Sequence, residues 1–224
     1  MKKIIFVFVL LSILFSGVLV SCGNPLIRAI TDKLINEYNV GDIGPGGGII
    51  FYHDRAGFQV YQSATDTVGI TCHYLEVAPA GSPGSLEWAP TASTAYGSVT
   101  GLSSGTLDYF DWAIGRGKKN TVCILIFVVI PASTYAPAAD FCDTYTSPNG
   151  TSDWFLPSKY ELNELYKRWN AEGRPAKYNL PPHEYWSSSQ DGVSNAYAHQ
   201  FFYGIPITND KALSSYYARP IRAF

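Results

Sequence analysis

The chain has 224 residues with 16 basic and 18 acidic side chains, a formal net charge of −2, and only 15% charged residues. That balance excludes the basic footprint of a nucleic-acid binder, the densest basic group being Arg116, Lys118 and Lys119. Aromatic residues also make up 15%, with 16 tyrosines among them. Two readings of that excess stay open: tyrosine as a recognition surface, or tyrosine filling the core and edges of a β-rich fold.

The N-terminus reads as an export signal. Met1-Lys2-Lys3 is a short positive start, and Ile4 to Val20 follows without a charge. The run is about long enough to span a bilayer, so its length alone does not separate a cleaved signal from an anchor helix. Its ending does. Leu19-Val20-Ser21-Cys22 puts an aliphatic residue, a small residue and a cysteine where a lipobox has them. The sequence therefore predicts a signal peptide over 1–21 and lipidation of Cys22, where sulfur carries the diacylglycerol and cleavage frees an α-amine for a further acyl chain. Gly23, rather than Asp, follows the cysteine, which points to a bacterial cell envelope lipoprotein sorted to the outer membrane. Removing Lys2 and Lys3 leaves 14 basic against 18 acidic residues, a mature charge near −4.

With Cys22 lipidated, Cys72, Cys123 and Cys142 remain, so at most one intramolecular disulfide can form. Cys123 with Cys142 is one reading, free buried thiols the other. Neither the cysteines nor His53, His73, His183 and His199 show metal-ligand spacing, and no metal or cofactor is expected.

Residues 22–40 form a tether, with Leu26, Ile27, Ile30, Leu34 and Ile35 at rough helical spacing. The Gly41–Gly48 stretch is a turn-rich entry to a domain spanning 41–224. Ile49–Tyr52 and Phe58–Tyr61 are expected to form a hairpin, and His73–Ala78 a further strand. Residues 79–120 read as a long loop region pinned by Trp88 and Trp112. The uninterrupted apolar run Val122–Ile130 reads as a buried strand. Two helices follow. The first opens at Pro137. The second opens on the Ser158-x-x-Glu161 capping box and carries Leu162, Leu165, Tyr166 and Trp169 on one face. Strands are then expected at Tyr185–Ser189, Ala196–Tyr203, Ile205–Thr208 and Tyr216–Arg222, with Gly204 at a tight turn. The order gives an α+β domain.

Catalytic motifs fail on context. The glycines at 44–48 lead into a strand rather than from a strand into a helix, so they are no phosphate loop. Gly115-Arg116-Gly117-Lys118 lacks the following Ser or Thr. There is no Gly-x-Ser-x-Gly elbow. Asp153, Glu161, Glu164 and Glu184 show no paired acid/base pattern, and Glu161 is already used as a cap.

Six blocks occur in order: Gly41-Asp42-Ile43-Gly44-Pro45-Gly46-Gly47-Gly48; Tyr74-Leu75-Glu76-Val77-Ala78-Pro79 with Glu87-Trp88; Gly115-Arg116-Gly117-Lys118-Lys119-Asn120-Thr121; Ser152-Asp153-Trp154-Phe155-Leu156-Pro157-Ser158-Lys159; Tyr185-Trp186-Ser187-Ser188-Ser189; and Tyr217-Ala218-Arg219-Pro220-Ile221-Arg222. Together they resemble the Lcl C-terminal domain family, over nearly the whole mature chain. The resemblance implies a C-type-lectin-like fold: two helices packed on a small twisted, mostly antiparallel sheet with long loops, and termini close together. It also implies an exported domain for binding or adhesion. The founding adhesin's polyanion binding does not carry over to this acidic chain, which has no collagen-like stalk. The same fold serves formylglycine-generating enzymes, but no reactive cysteine arrangement is present, and no enzymatic activity is expected.

The expected function is thus a membrane-anchored lipoprotein displaying a lectin-like domain for a glycan or a protein. The alternative is a structural envelope-interaction lipoprotein without a small ligand. The candidate ligand-binding residues are Asn195, Tyr197, His199, Tyr203, Asn209 and Tyr216, which supply hydroxyl, amide and aromatic groups from the C-terminal strands and loops. A concave patch there would favour a binding module, a flat apolar patch an interaction protein, and a buried titratable cluster in a cleft an enzyme.

Overall fold

A computed structural model describes residues 38–89, 109–128, 136–192, 194–213 and 215–224. Cys22, the expected signal peptide over 1–21 and residues 22–37 of the expected tether lie outside the described residues. Among the described residues the domain is α+β, with three α-helices and two three-stranded antiparallel sheets. One sheet has the order β1-β2-β6, from Ile49–Val60, Ile70–Val77 and Ile221–Ala223. The other is β3-β4-β5, from Glu184–Asp191, Asn195–Gln200 and Ile205–Asp210. The helices are α1 (Gly117–Val128), α2 (Pro137–Thr144) and α3 (Lys159–Ala171).

Several expectations need correcting. Ile49–Tyr52 and Phe58–Tyr61 are not hairpin partners. They lie on the one strand β1, whose partner is β2. Between His53↔Tyr74 and Phe58↔Cys72 the chain advances five residues on β1 but two on β2, so Asp54 to Gly57 bulge out. The Asp54 carboxylate accepts the Ala56 N–H in that bulge, and Gly57 takes a positive φ. A bulge of this size looks like a hairpin turn in the sequence.

The apolar run after Thr121 is helical as far as Val128; residues 129–130 lie outside the described residues. Continuous apolarity does not distinguish a buried strand from a buried helix. Here burial falls on Asn120, Thr121, Cys123 and Ile124 while Ile126 is exposed, a helical pattern. A third helix therefore replaces the expected strand. Cys123 consequently sits on α1 and Cys142 on α2. Both are buried in the same core cluster, and Cys72, Cys123 and Cys142 are all free thiols. The terminal strand is short. Tyr216 and Tyr217 make only isolated bridges, to Leu86 and Tyr185, before β6 begins at Ile221.

Two cores hold the sheets. One buries Trp88, Trp186, Cys123, Ile124, Ala196 and Ala198 between α1, α2 and the β3–β5 sheet. The other buries Leu162, Leu165 and Trp169 of α3 against Phe51, Leu75, Phe201 and Ile221. Each of those large side chains contributes roughly 1.5–3 kcal/mol on burial. The Ser158 hydroxyl accepts the Glu161 N–H at 3.3 Å and the Glu161 carboxylate accepts the Ser158 N–H at 2.7 Å, so the capping box is present in full. It also anchors a loop, because the Gly115 N–H donates to Glu161 at 2.8 Å.

The remaining motif residues are ties between elements. The glycine run wraps a buried carboxylate of the chain itself: Glu76 accepts the N–H groups of Gly46 (3.0 Å) and Gly48 (2.6 Å) and pairs with Arg222 at 3.3 Å. A Cβ at Gly48 would stand 1.9 Å from the Val77 carbonyl oxygen, so only glycine fits this approach. Buried Arg219 donates to the carbonyls of Ala78, Tyr178 and Asn179, at 2.6, 2.6 and 2.9 Å. Phe155 and Ile221 exchange backbone hydrogen bonds, at 2.8 and 3.0 Å, linking the α3 entry to β6. Tyr38 and Phe224 meet edge to face with ring centres 5.6 Å apart, so the two ends of the described domain are adjacent. Among the described residues no helix is long and apolar enough to cross a membrane.

Candidate functional site

The six residues expected to bind a ligand do not converge. Cross-strand partners in an antiparallel pair share a face. Register places Asn195 opposite Asp210, Tyr197 opposite Thr208 and His199 opposite Pro206, all on one face of the sheet. Asn209 lies opposite Ala196 on the other face, where its amide donates to the Tyr216 hydroxyl at 2.5 Å. Ala196, Ala198 and Tyr216 belong to the core on that side, so Asn209 and Tyr216 are internal struts. Tyr203 stands apart on the β4–β5 turn, 69% exposed. A one-residue alternation thus splits a set that reads as one cluster along the sequence.

His199 is buried. Its ring stacks on Tyr166 at 4.7 Å, and Nε2 lies 3.4 Å from the Asn163 side-chain oxygen. Burial pulls its pKa down to about 4, so the imidazole is neutral at physiological pH. Tyr197 is half-buried. Its hydroxyl donates to Asp191 at 3.3 Å, and burial with that carboxylate pushes its pKa up to about 12. The Lys159 ammonium sits between two rings, 3.8 Å from the centre of Trp112 and 3.7 Å from that of Tyr197. Burial lowers the Lys159 pKa.

Beside this shelf lies an open groove of about 310 Å³ lined by Tyr52, Ile114, Tyr160, Asn163, Glu164 and Lys167. Four of these come from α3 at positions 160, 163, 164 and 167, the spacing of one helical face. That face stands beside the buried stripe of Leu162, Leu165 and Trp169. Tyr52 comes from β1, next to the bulge, and Ile114 from the turn that Glu161 ties down. Lys167 and Glu164 pair at 2.7 Å, and Tyr160 meets Trp112 edge to face. Burial, with the Asp54 and Glu164 carboxylates, raises the Tyr52 pKa and keeps the phenol protonated.

The groove therefore offers two phenol rings, an amide, a carboxylate and an ammonium. These groups stack and hydrogen-bond. Asn163 joins it to the shelf, since the same amide meets His199. Among the described residues no group of three or more His, Cys, Asp or Glu side chains could hold a metal ion. None of the groove residues belonged to the expected set. In the sequence, 160, 163, 164 and 167 look like the solvated side of an amphipathic helix, and nothing there signals that Tyr52 and Ile114 close over it. Glu161 is buried, and burial raises its pKa to about 7 despite the N–H donors around it. It faces the loop rather than the groove, as a structural tie. Comparison with known proteins finds no matching family model and no matching curated protein.

Proposed function

We propose that this is an exported, Cys22-anchored envelope lipoprotein whose lectin-like domain binds a glycan in the α3 groove. The observation that carries the reading is the groove's lining: Tyr52 and Tyr160 bring aromatic rings suited to a sugar's C–H surface, while Asn163, Glu164 and Lys167 bring polar groups suited to its hydroxyls. The adjacent ends of the described domain and the α+β arrangement support the C-type-lectin-like assignment, as does the resemblance to the Lcl C-terminal domain family. The earlier candidates contribute through Tyr197 and His199, which shape the shelf and orient Asn163. The remaining four hold the fold or lie elsewhere.

The test is glycan-array binding by the purified lipoprotein in detergent, followed by Tyr160→Ala and Asn163→Ala. Tyr160→Ala leaves the melting temperature close to the parent, Asn163→Ala lowers it modestly because buried His199 loses its side-chain partner, and both weaken binding at least about tenfold, roughly 1.4 kcal/mol or more. Binding that survives both substitutions would place the ligand elsewhere. Absence of binding to any glycan would overturn the lectin reading.

A further inference from the structure

The β4–β5 turn carries Phe202, Tyr203 and Ile205 at 58%, 69% and 49% exposure within four residues. Single exposed apolar side chains are ordinary, but contiguous ones mark contact surfaces. Phe202 and Tyr203 touch edge to face with centres 4.9 Å apart, so they form one apolar tip. The tip is held out rigidly. Phe201 beneath it is fully buried, and the Gly204 N–H donates to Gln200 at 2.7 Å. Gly204 also lies against the Tyr166 ring, and Arg174 donates to the Phe202 carbonyl at 3.4 Å.

Its position is informative. β4 runs alongside α3 in the same direction: Tyr197 meets Lys159 at the helix start, His199 meets Asn163 and Tyr166, and Phe201 meets Trp169. The tip therefore projects at the C-terminal end of α3. The chain enters the domain at that same end, where Arg168 donates to the Val40 carbonyl and Lys177 to the Gly41 carbonyl. Exposed Ile43 follows directly. The 61–69 loop is at the opposite end, beyond the eight-residue strand β2, roughly 26 Å away. Fifteen residues lie between Cys22 and Tyr38, a reach of at most roughly 55 Å in any conformation.

We propose that the β4–β5 turn is a membrane-contact site, with Phe202, Tyr203 and Ile205 seated in the headgroup–acyl boundary of the bilayer that carries the Cys22 anchor. Aromatic and aliphatic side chains favour that boundary. The charges around the tip balance: Arg168, Arg174 and Lys177 stand near Glu172, Glu184 and Asp42. The contact is accordingly apolar, and it forms on zwitterionic lipid. The inference rests on the lipid-anchored reading. It adds an orientation, with the tip toward the lipid and the 61–69 loop away from it.

The test uses the mature lipoprotein in phosphatidylcholine vesicles, spin-labelled at Y203C or, for comparison, at V68C, which is 79% exposed on the far loop. The native thiols are buried and stay unlabelled. Relaxation by oxygen is expected to exceed relaxation by a water-soluble nickel complex severalfold at position 203, with the reverse at 68. F202D in the Y203C chain shifts the 203 label toward the aqueous value. Equal aqueous behaviour at 203 and 68 overturns the membrane contact and leaves the anchor intact. If mass spectrometry of the N-terminal peptide shows no acylated Cys22, the anchored reading itself fails, and the orientation fails with it.

Discussion

His199 sets how stability depends on pH, and its contribution can be isolated by His199→Gln. In the folded domain the imidazole is buried and stacked on Tyr166, and Nδ1 has no hydrogen-bond partner. Its pKa falls from 6.5 to about 4 because burial penalises the imidazolium. Unfolded chains take up that proton below 6.5 and the folded domain does not, so the fold loses stability as pH drops through that range. At about 1.4 kcal/mol per tenfold, the gap is worth roughly 3 kcal/mol in full. About 2 kcal/mol of it falls between about pH 7.5 and about pH 4.5. Glu161 works in the opposite sense. Its pKa is raised from 4.5 to about 7, so its contribution is fully present below 4.5 and is lost as pH rises through 7. The parent profile is therefore flattened, and the parent-minus-variant difference cancels Glu161 and reads His199 alone. Urea unfolding followed by tryptophan fluorescence, repeated across that interval, measures it. The variant gains on the parent by about 2 kcal/mol toward the acid end. Parallel profiles would mean that His199 titrates as a hydrated imidazole, and the burial argument would be refuted.

Three further outcomes follow from the packing. Ser158→Ala removes the hydroxyl that caps α3 and costs about 1–2 kcal/mol in urea midpoint analysis; an unchanged midpoint would contradict the cap. Gly48→Ala forces a Cβ against the Val77 carbonyl and costs on the order of 3 kcal/mol, read as a lowered melting temperature. With Ellman's reagent none of Cys72, Cys123 and Cys142 reacts in the native protein, because burial both shields these thiols and raises their pKa values. Three react in denaturant, and a fourth would show that Cys22 carries no lipid.

Strong local signals read correctly from the sequence. The start and buried face of α3 were legible because Ser158 and Glu161 satisfy each other within one turn and Leu162, Leu165 and Trp169 repeat at helical spacing. Gly204 and Pro137 marked a turn and a helix start for equally local reasons. The errors came where a local pattern has two solutions. The apolar run of α1 satisfies a buried strand as well as a helix, and the Asp54–Gly57 bulge mimics a hairpin turn. The groove was invisible for a different reason. Its lining combines β1, the 113–115 turn and α3, separated by 62 and 46 residues along the chain and brought together by core packing and by ties such as Glu161 reaching back to Gly115.

The Glu76 cradle also bears on when the domain can fold. The glycine loop closes on a carboxylate about thirty residues downstream, and that carboxylate is completed by Arg222, in the three-residue strand β6 that finishes the first sheet. The first and last segments of the domain are thus mutually dependent, a long-range closure that slows folding. A chain emerging N-terminus first lacks its sheet edge until its final four residues are free. The first sheet therefore closes only when β6 is available to pair with β2.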